Sequence, residues 1–480
     1  MNIRKTMNNR NLSGPALLLV IATGCATNDT QFKTAAETNL REQTGAAVPW
    51  IQTASDAARE KQMVEALLKE ELTLNAAIQI AVLNNRGLQA EIEEIGISKA
   101  ELTQVGLFRN PEFSASVRFP NQPPSAANTE FSVATDLLDL IYRPVRKRFA
   151  RQALEQTQLR LATEVLNLAH EVEVVFYSIQ AQEQLQKRLK IISGVNEAAA
   201  DLAQRQHAAG NTSDLDLANA QVIFSQSRIL AVRDERELRK SQQHLNRLLG
   251  LWGKQTAWRL SDQLPELPKE EIKFDALESL AVTQRKDLAA LEGRANSIGA
   301  ALELKRRTRY SPAGVKVGVD TERDPDRTRL TGPNLSLELP IFDQGQGAIA
   351  RLAAEHRQAQ RAFEDLAIRI RSEVNEAVDT MIANRALTEY LGKTVLPQQI
   401  KIANETLLQY NAMQKPTYEL LTAKERELNA ERDYIETLRD YWIARADLQK
   451  AIGGKIVGTE TGAAAPISAA TPMASQPHQH

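Results

Sequence analysis

Two kinds of hydrophobic spacing divide this chain. Over residues 112–120, Phe113, Ala115, Val117 and Phe119 alternate with Ser114, Ser116 and Arg118. Over 129–138, Phe131, Val133, Thr135 and Leu137 share one side. Further along, Val315, Val317 and Val319 alternate with Lys316, Gly318 and Asp320, and Leu335, Leu337, Leu339 and Ile341 with Ser336, Glu338 and Pro340. A period of two gives a strand one apolar and one polar face. The segments run about nine to eleven residues, the length that crosses a bilayer as a tilted strand. Loops at 121–128 and 322–329, rich in proline or charge, join each pair.

The second spacing is helical. Leu154, Leu161, Leu168 and Val175 recur in heptads, with Val165, Val172 and Ile179 between them, the 4-3 spacing of a coiled-coil seam. From Pro144 to Arg205 only Gly194 interrupts the pattern, which predicts a rod of roughly 90 Å. Residues 343–410 repeat the design. Each rod ends in a short turn, at 209–213 or 414–417, and a return helix follows to Gly250 or Gly453, where a glycine C-cap is expected. Tyr434, Leu438, Tyr441 and Trp442 are expected to pack.

These elements occur twice. Residues 74–82 (LNAAIQIAV) are echoed by 274–282 (FDALESLAV) at a constant register, which continues through Arg86 and Lys286, Leu88 and Leu288, and Ala90 and Ala290. Pro111 then matches Pro312, Asp139 matches Asp343, and Leu249-Gly250 matches Ile452-Gly453. The predicted organisation is a signal peptide at 1–24, an N-terminal segment at 25–67 and a first repeat at 68–250. A linker at 251–270, a second repeat at 271–454 and a disordered tail at 455–480 follow.

The first residues carry Arg4, Lys5 and Arg10, then the apolar run PALLLVIA, then Thr23-Gly24-Cys25. This is the layout of a secretory signal. Cys25 is the only cysteine in the chain, which excludes a disulfide framework and a cysteine zinc site. Its place behind the apolar core resembles a bacterial lipobox, in which the cysteine becomes the lipidated first residue. Two or more acyl chains would then anchor it. Lys+Arg 59 against Asp+Glu 60 leaves a net charge of -1, which gives no reason to expect a nucleic-acid surface or a polybasic membrane patch.

Catalytic chemistry is not evident. His170, His207, His244 and His356 lack ligand spacing, His478 and His480 flank Gln479 in the tail, and no nucleophile motif or phosphate loop is present. No enzyme activity, resident metal or cofactor is expected, apart from the covalent lipid on Cys25.

Four amphipathic strands cannot close a membrane barrel, because the smallest need about eight. An open sheet in lipid would leave its edges unpaired at several kcal/mol per group. Other copies of the chain must therefore complete the wall. Arg118, Lys316, Asp320 and Glu338 would line its lumen, and the helices would extend that lumen away from the membrane. The expected fold is mainly α with a small membrane β part.

On these grounds the chain resembles the TolC-like outer-membrane efflux protein family, over residues 68–454. The most specific motifs are the strand-to-helix junction 335–343 (LSLELPIFD) and two return-helix openings, 210–217 (GNTSDLDL) and Tyr410 through 418–423 (YELLTA). The resemblance implies a homotrimer with a 12-stranded β-barrel and a coiled-coil α-barrel reaching into the periplasm of a Gram-negative cell. It also implies a periplasmic adaptor, an inner-membrane pump and outer-membrane lipid as partners, and no nucleic acid. The family's acidic tip position falls on Glu419, with Asp216 as its counterpart, so these would ring a periplasmic gate. Thr422 stands where a second acid is frequent, and Met413 where glycine is usual. Tyr410 and Lys415 occupy the places of tethers that hold the closed tips. The segment 108–113 (FRNPEF) looks like the junction of the heavy-metal cation branch, so metal efflux is the expected function. Drug or solvent export is the rival, and a lipid-anchored coiled-coil scaffold without transport is a third reading.

Overall fold

The computed structural model describes residues 29–454, apart from 124–125, 262, 270–275 and 313. Cys25, the signal segment and the tail with His478 and His480 lie outside the described residues. No described helix is long and apolar enough to cross a membrane.

The first repeat begins with helices α3 (Leu74–Asn84) and α4 (Arg86–Gly106), followed by strands β1 (Glu112–Arg118) and β2 (Asn128–Asp136). Then α5 (Leu137–Ala208) runs unbroken for 72 residues, about 110 Å of helix, and α6 (Asp214–Leu248) returns beside it. The second repeat has α7 (Leu277–Gln284), α8 (Lys286–Arg307), β3 (Val315–Arg323) and β4 (Arg329–Leu337) in the same order. Its rod is divided into α9 (Gln346–Tyr390), a π-helical segment (Leu391–Val395) and α10 (Leu396–Asn411), and α11 (Thr417–Ala451) returns. Ahead of both repeats lie α1 (Asp29–Thr44) and α2 (Ala54–Leu67).

Several boundaries differ from expectation. The long helix starts at Leu137, not near Pro144, because the Asp136 carboxylate caps it, accepting from the Leu138 amide at 2.9 Å. Pro144 is inside α5, where it removes one backbone donor without ending the helix. Strands of seven to nine residues replace the expected nine to eleven. Leu339 and Ile341 fall beyond β4, while Glu322 and Arg323 pair with Leu330 and Arg329, which shortens the hairpin loop. The second rod departs from a continuous helix at the π segment. Gly392 lies there with the Tyr434 ring so close that an added Cβ would sit 2.7 Å from it.

The coiled-coil seam is present as spaced: Leu154, Leu161, Val165, Val172, Val175 and Ile179 are all buried. Three apolar clusters hold the body. One lies under α1, where Leu40 and Trp50 pack with Ile92, Ile95 and Leu161. The second joins the repeats, with Ile80, Ile179 and Leu245 sharing a core with Leu260 of the linker and Ile435 of α11. Tyr177 stacks on Trp442 there at 5.4 Å between centroids. The third belongs to the second repeat, around Leu288, Ile370, Met381 and the fully buried Tyr441.

Candidate functional site

The four strands form one antiparallel sheet in the order β1-β2-β3-β4, so the central pair joins the two repeats and β1 and β4 are open edges. Register sorts the side chains. One face carries Phe113, Val133, Val319 and Pro333 in one row, and Thr135, Val317 and Leu335 in another. Phe113 stacks on Phe131 across the strands. The large apolar side chains of this face are exposed in the single chain, as a surface that expects lipid or another copy.

The opposite face is polar and cross-linked. Arg118 pairs with Glu130 at 3.2 Å, Lys316 with Glu112 at 2.7 Å, and Asn334 donates to Asp320 at 2.7 Å. Asn128 donates to Glu322 at 2.7 Å. Three of the residues assigned to a lumen, Arg118, Lys316 and Asp320, thus share one face. Glu338 follows β4 rather than lying in it, yet its amide still donates to Gly314 across the pair. Sequence reasoning passed over Glu112, Glu130, Asp136 and Glu322, which share this face; the same even-numbered alternation identifies them.

At the strand-to-helix junction Asp139 is buried between two guanidinium groups, Arg146 at 2.5 Å and Arg109 at 3.1 Å. Its echo by Asp343 was the only signal in the chain. Asp343 serves its own turn instead, accepting from the Gly345 amide at 2.8 Å.

The far ends of the helices form two similar hairpin tips. Gly210 and Met413 both have left-handed backbone, at φ 77° and 56°, and each turn is closed by the same pair of backbone hydrogen bonds. Asp216 takes part in capping α6: its amide donates to Ser213 and its carboxylate accepts from the Ser213 hydroxyl at 2.7 Å. Glu419 sits in the first turn of α11, where an anion suits the helix dipole, and Lys415 holds it at 2.5 Å. Lys415 therefore pairs with the acid of its own tip. Tyr410 closes the second turn through its backbone carbonyl, which accepts from Met413. The tips enclose a cleft of about 280 Å³ lined by Leu202, Asn211, Asp216, Pro416, Tyr418 and Leu421.

No group of three or more metal-ligating side chains occurs among the described residues. His170 contacts Asp447 at 2.6 Å, His207 contacts Asp214 at 2.6 Å, and His244 contacts Glu171 at 3.1 Å, each as a separate pair. Between the tips and the sheet, burial pushes the Asp234 carboxyl up to about 6, and Glu436 adds to the effect.

An amphipathic sheet with two open edges is thus carried on paired helical rods. Known proteins share this architecture. No protein-family model matches the sequence. The cobalt-zinc-cadmium resistance protein CzcC of Cupriavidus metallidurans is 25% identical over 394 residues, covering 80% of this chain and 90% of that protein. The Campylobacter jejuni CmeC outer membrane channel superposes with a TM-score of 0.64 at 15% identity, over 95% of this chain and 94% of its own. CusC superposes at 0.65 with 17% identity, over 80% and 93%, and the open state of Neisseria gonorrhoeae MtrE at 0.63 with 16% identity, over 79% and 89%. The chain has the fold of the TolC-like outer-membrane efflux channels, and the resemblance carried by its junction and tip motifs holds.

Proposed function

We propose that three copies of this chain form the outer-membrane exit duct of a tripartite efflux system and that its cargo is metal cations. The observation that carries the duct is the sheet. Its apolar face needs lipid, its polar face needs water, and its two edges need partners. Three copies would supply twelve strands around a water-filled lumen. The helices below would receive cargo from a periplasmic adaptor and an inner-membrane pump, with no covalent chemistry on the way.

Two features support a cationic cargo. The relative that matches along 90% of its length is a cobalt-zinc-cadmium resistance protein. The polar sheet face also carries more acids (Glu112, Glu130, Asp136, Asp320, Glu322) than bases (Arg118, Lys316), which favours cations in a narrow lumen. Deleting the gene and measuring tolerance to cobalt, zinc and cadmium beside a panel of drugs tests this. Lost metal tolerance is the expected result. Lost drug tolerance alone would replace the cargo by organic compounds. A trimer without conductance in planar bilayers would favour the scaffold reading and remove the duct.

At the tips, Glu419 is the proposed gate acid, with Lys415 as its internal counter-charge and Asp216 as a lesser contributor. In single-channel recordings Glu419→Ala is expected to lower cation preference, and Lys415→Ala to raise it by freeing the carboxylate. Equal selectivity in both variants would sink the gate.

The lipid on Cys25 fits the placement of α1. Lys99 stands 4.3 Å over the Phe32 ring. On α4, Lys99 is ~10 Å from the end that enters the sheet. Cys25 stands four residues before Asp29, where α1 begins, so an acyl chain on Cys25 would enter the membrane close to this end of α1. Metabolic labelling with palmitate that Cys25→Ala leaves intact would exclude it.

A further inference from the structure

The near-neutral charge of the whole chain conceals a local excess of cations at one level of the fold. Where the sheet meets the helices, one exposed face changes character along its length. It starts on the apolar side of β2 with Phe131 and Val133 and continues on the first turns of α5 through Leu137, Leu140 and Ile141, all exposed. Further down the same helix stripe come Lys147, Arg148 and Arg151, also exposed. The spacing 137, 140, 141, 144, 147, 148, 151 keeps all of them on one side. Lys147 to Arg151 lie about 9 to 15 Å below Ile141 along the axis.

A second arc comes from the other repeat. Helix α8 packs on α5 and ends toward β3 with Arg306, Arg307 and Tyr310 exposed at i, i+1 and i+4. Aromatic side chains mark the same level: Phe108 carries Arg143 at 4.0 Å from its ring centroid, and Tyr310 carries Arg309 at 5.3 Å. Two acids at this level are engaged. Asp139 is held by Arg109 and Arg146, and Glu303 pairs with Arg307. Among the described residues no acid lies within ion-pair distance of Lys147, Arg148, Arg151 or Arg306. An apolar stripe, an aromatic level and then exposed cations are the sequence of surfaces met on leaving a bilayer through its head groups.

We propose that Lys147, Arg148, Arg151, Arg306 and Arg307 form a cationic belt that binds the head groups of anionic phospholipids in the periplasmic leaflet. The proposal rests on the outer-membrane channel reading and adds the lipid class its wall selects. The belt continues the lipid-facing side of the sheet, and its charge complements a phosphate layer. Long side chains keep their heads in water while their stems cover apolar surface, so they suit this depth.

Lipid titration of the full-length protein in neutral detergent, followed by native mass spectrometry, tests the belt. Phosphatidylglycerol is expected to bind about tenfold more tightly than phosphatidylcholine, with the gap narrowing as salt rises. K147Q/R148Q/R151Q should lose about fivefold in phosphatidylglycerol affinity in total, which removes most of the tenfold preference, and R306Q/R307Q is a second, independent variant. Equal affinity of the wild type for the two lipids, or an unchanged preference in both variants, overturns the proposal. Displacement of phosphatidylglycerol by inorganic phosphate at equal concentration would overturn the lipid assignment in favour of a free anion. Planar-bilayer conductance is recorded for the same proteins. Variants that conduct normally but have lost the lipid preference support the belt independently of the channel. A wild type that prefers phosphatidylglycerol yet never conducts would remove the channel reading and leave the lipid site standing.

Discussion

The two repeats seat their return helices on the same place with different chemistry. In the first, Gly250 ends α6 against the α3–α4 corner, and the amides of Asn84 and Asn85 donate to the carbonyls of Leu249 and Leu248, each at 2.9 Å. In the second, Gly453 ends α11 against the α7–α8 corner, and Arg285 bridges Asp287 at 2.7 Å, Glu373 at 2.9 Å and the Ala451 carbonyl. Burial alone would raise the Asp287 carboxyl, but the Arg285 guanidinium holds it below its ordinary range. The geometry is the constant, and neutral amides or an ion network can supply it.

The halves also differ in support. The first is strapped by α1 and α2: Lys33 pairs with Asp56, Glu37 accepts from the Trp50 amide, and Trp50 packs on Gly96 while donating to Glu93. The strap packs on first-repeat helices, and there the rod is unbroken. The second repeat has the π segment in its rod and a non-glycine residue in left-handed backbone at its tip. One copy is built for continuity, and the other tolerates local departures from regular helix.

Substitutions can break this comparison. The largest effect is expected for Gly250→Ala. At φ 65° a Cβ there would overlap the Asn84 carbonyl oxygen, so a loss of about 4 kcal/mol should appear in the unfolding midpoint. Gly453→Ala, with 3.0 Å to the Arg285 amide nitrogen, should lose about 2 kcal/mol. Equal losses would mean that the two seats are not differently packed.

Next comes Arg285→Ala, which strands Glu373 and Asp287 and should cost about 3 kcal/mol. Asn85→Ala removes two neutral hydrogen bonds, the one donated to the Leu248 carbonyl and the N-cap bond accepted from the Leu88 amide, and should cost about 1–2 kcal/mol. Thermal unfolding of both in the same detergent gives the order; the reverse order would refute an ion-held second seat.

Asp234→Asn sharpens the electrostatic side. The folded carboxyl titrates near 6, above its ordinary value, so the fold disfavours its charged form. That penalty is absent below the ordinary value, grows as pH rises through about 6 and is complete above it. The variant should therefore gain on the order of 1 kcal/mol at neutral pH after solvent screening, and nothing near pH ~4. A gain independent of pH would point to packing instead.

The smallest effect belongs to the tips. Met413→Gly places at the second tip the residue found at the first and should stabilise by about 0.5–1 kcal/mol, because glycine adopts φ 56° without strain. A loss of stability would show that the Met413 side chain holds something the glycine tip does not need.

Much of this was legible along the chain. Alternation in 112–118 and 315–323 identified the strands, and the heptads from Leu154 to Ile179 identified the seam, because both depend on periods that local geometry imposes. The start of α5 was missed by several residues. Pro144 suggests a first turn, whereas the Asp136 cap, seven residues upstream of Arg143, decides it. The acid positions Glu419 and Asp216 came from resemblance to the family, but their partners did not. The Lys415 and Ser213 contacts depend on how each turn folds. The cationic level was invisible to a charge sum, because 143–151 and 305–309 stand far apart in sequence and meet only through the packing of α8 on α5.

By itself, then, the sequence determined the elements, their twofold repetition and the need of the strands for partners, since periodicity and edge desolvation are local or additive. Tertiary structure alone decided which residues share a level: the order of the sheet, the two different seats, the tip ion pair and the cationic belt. Those arise from contacts between segments remote in the chain, where position in space and not spacing in sequence sets the interaction.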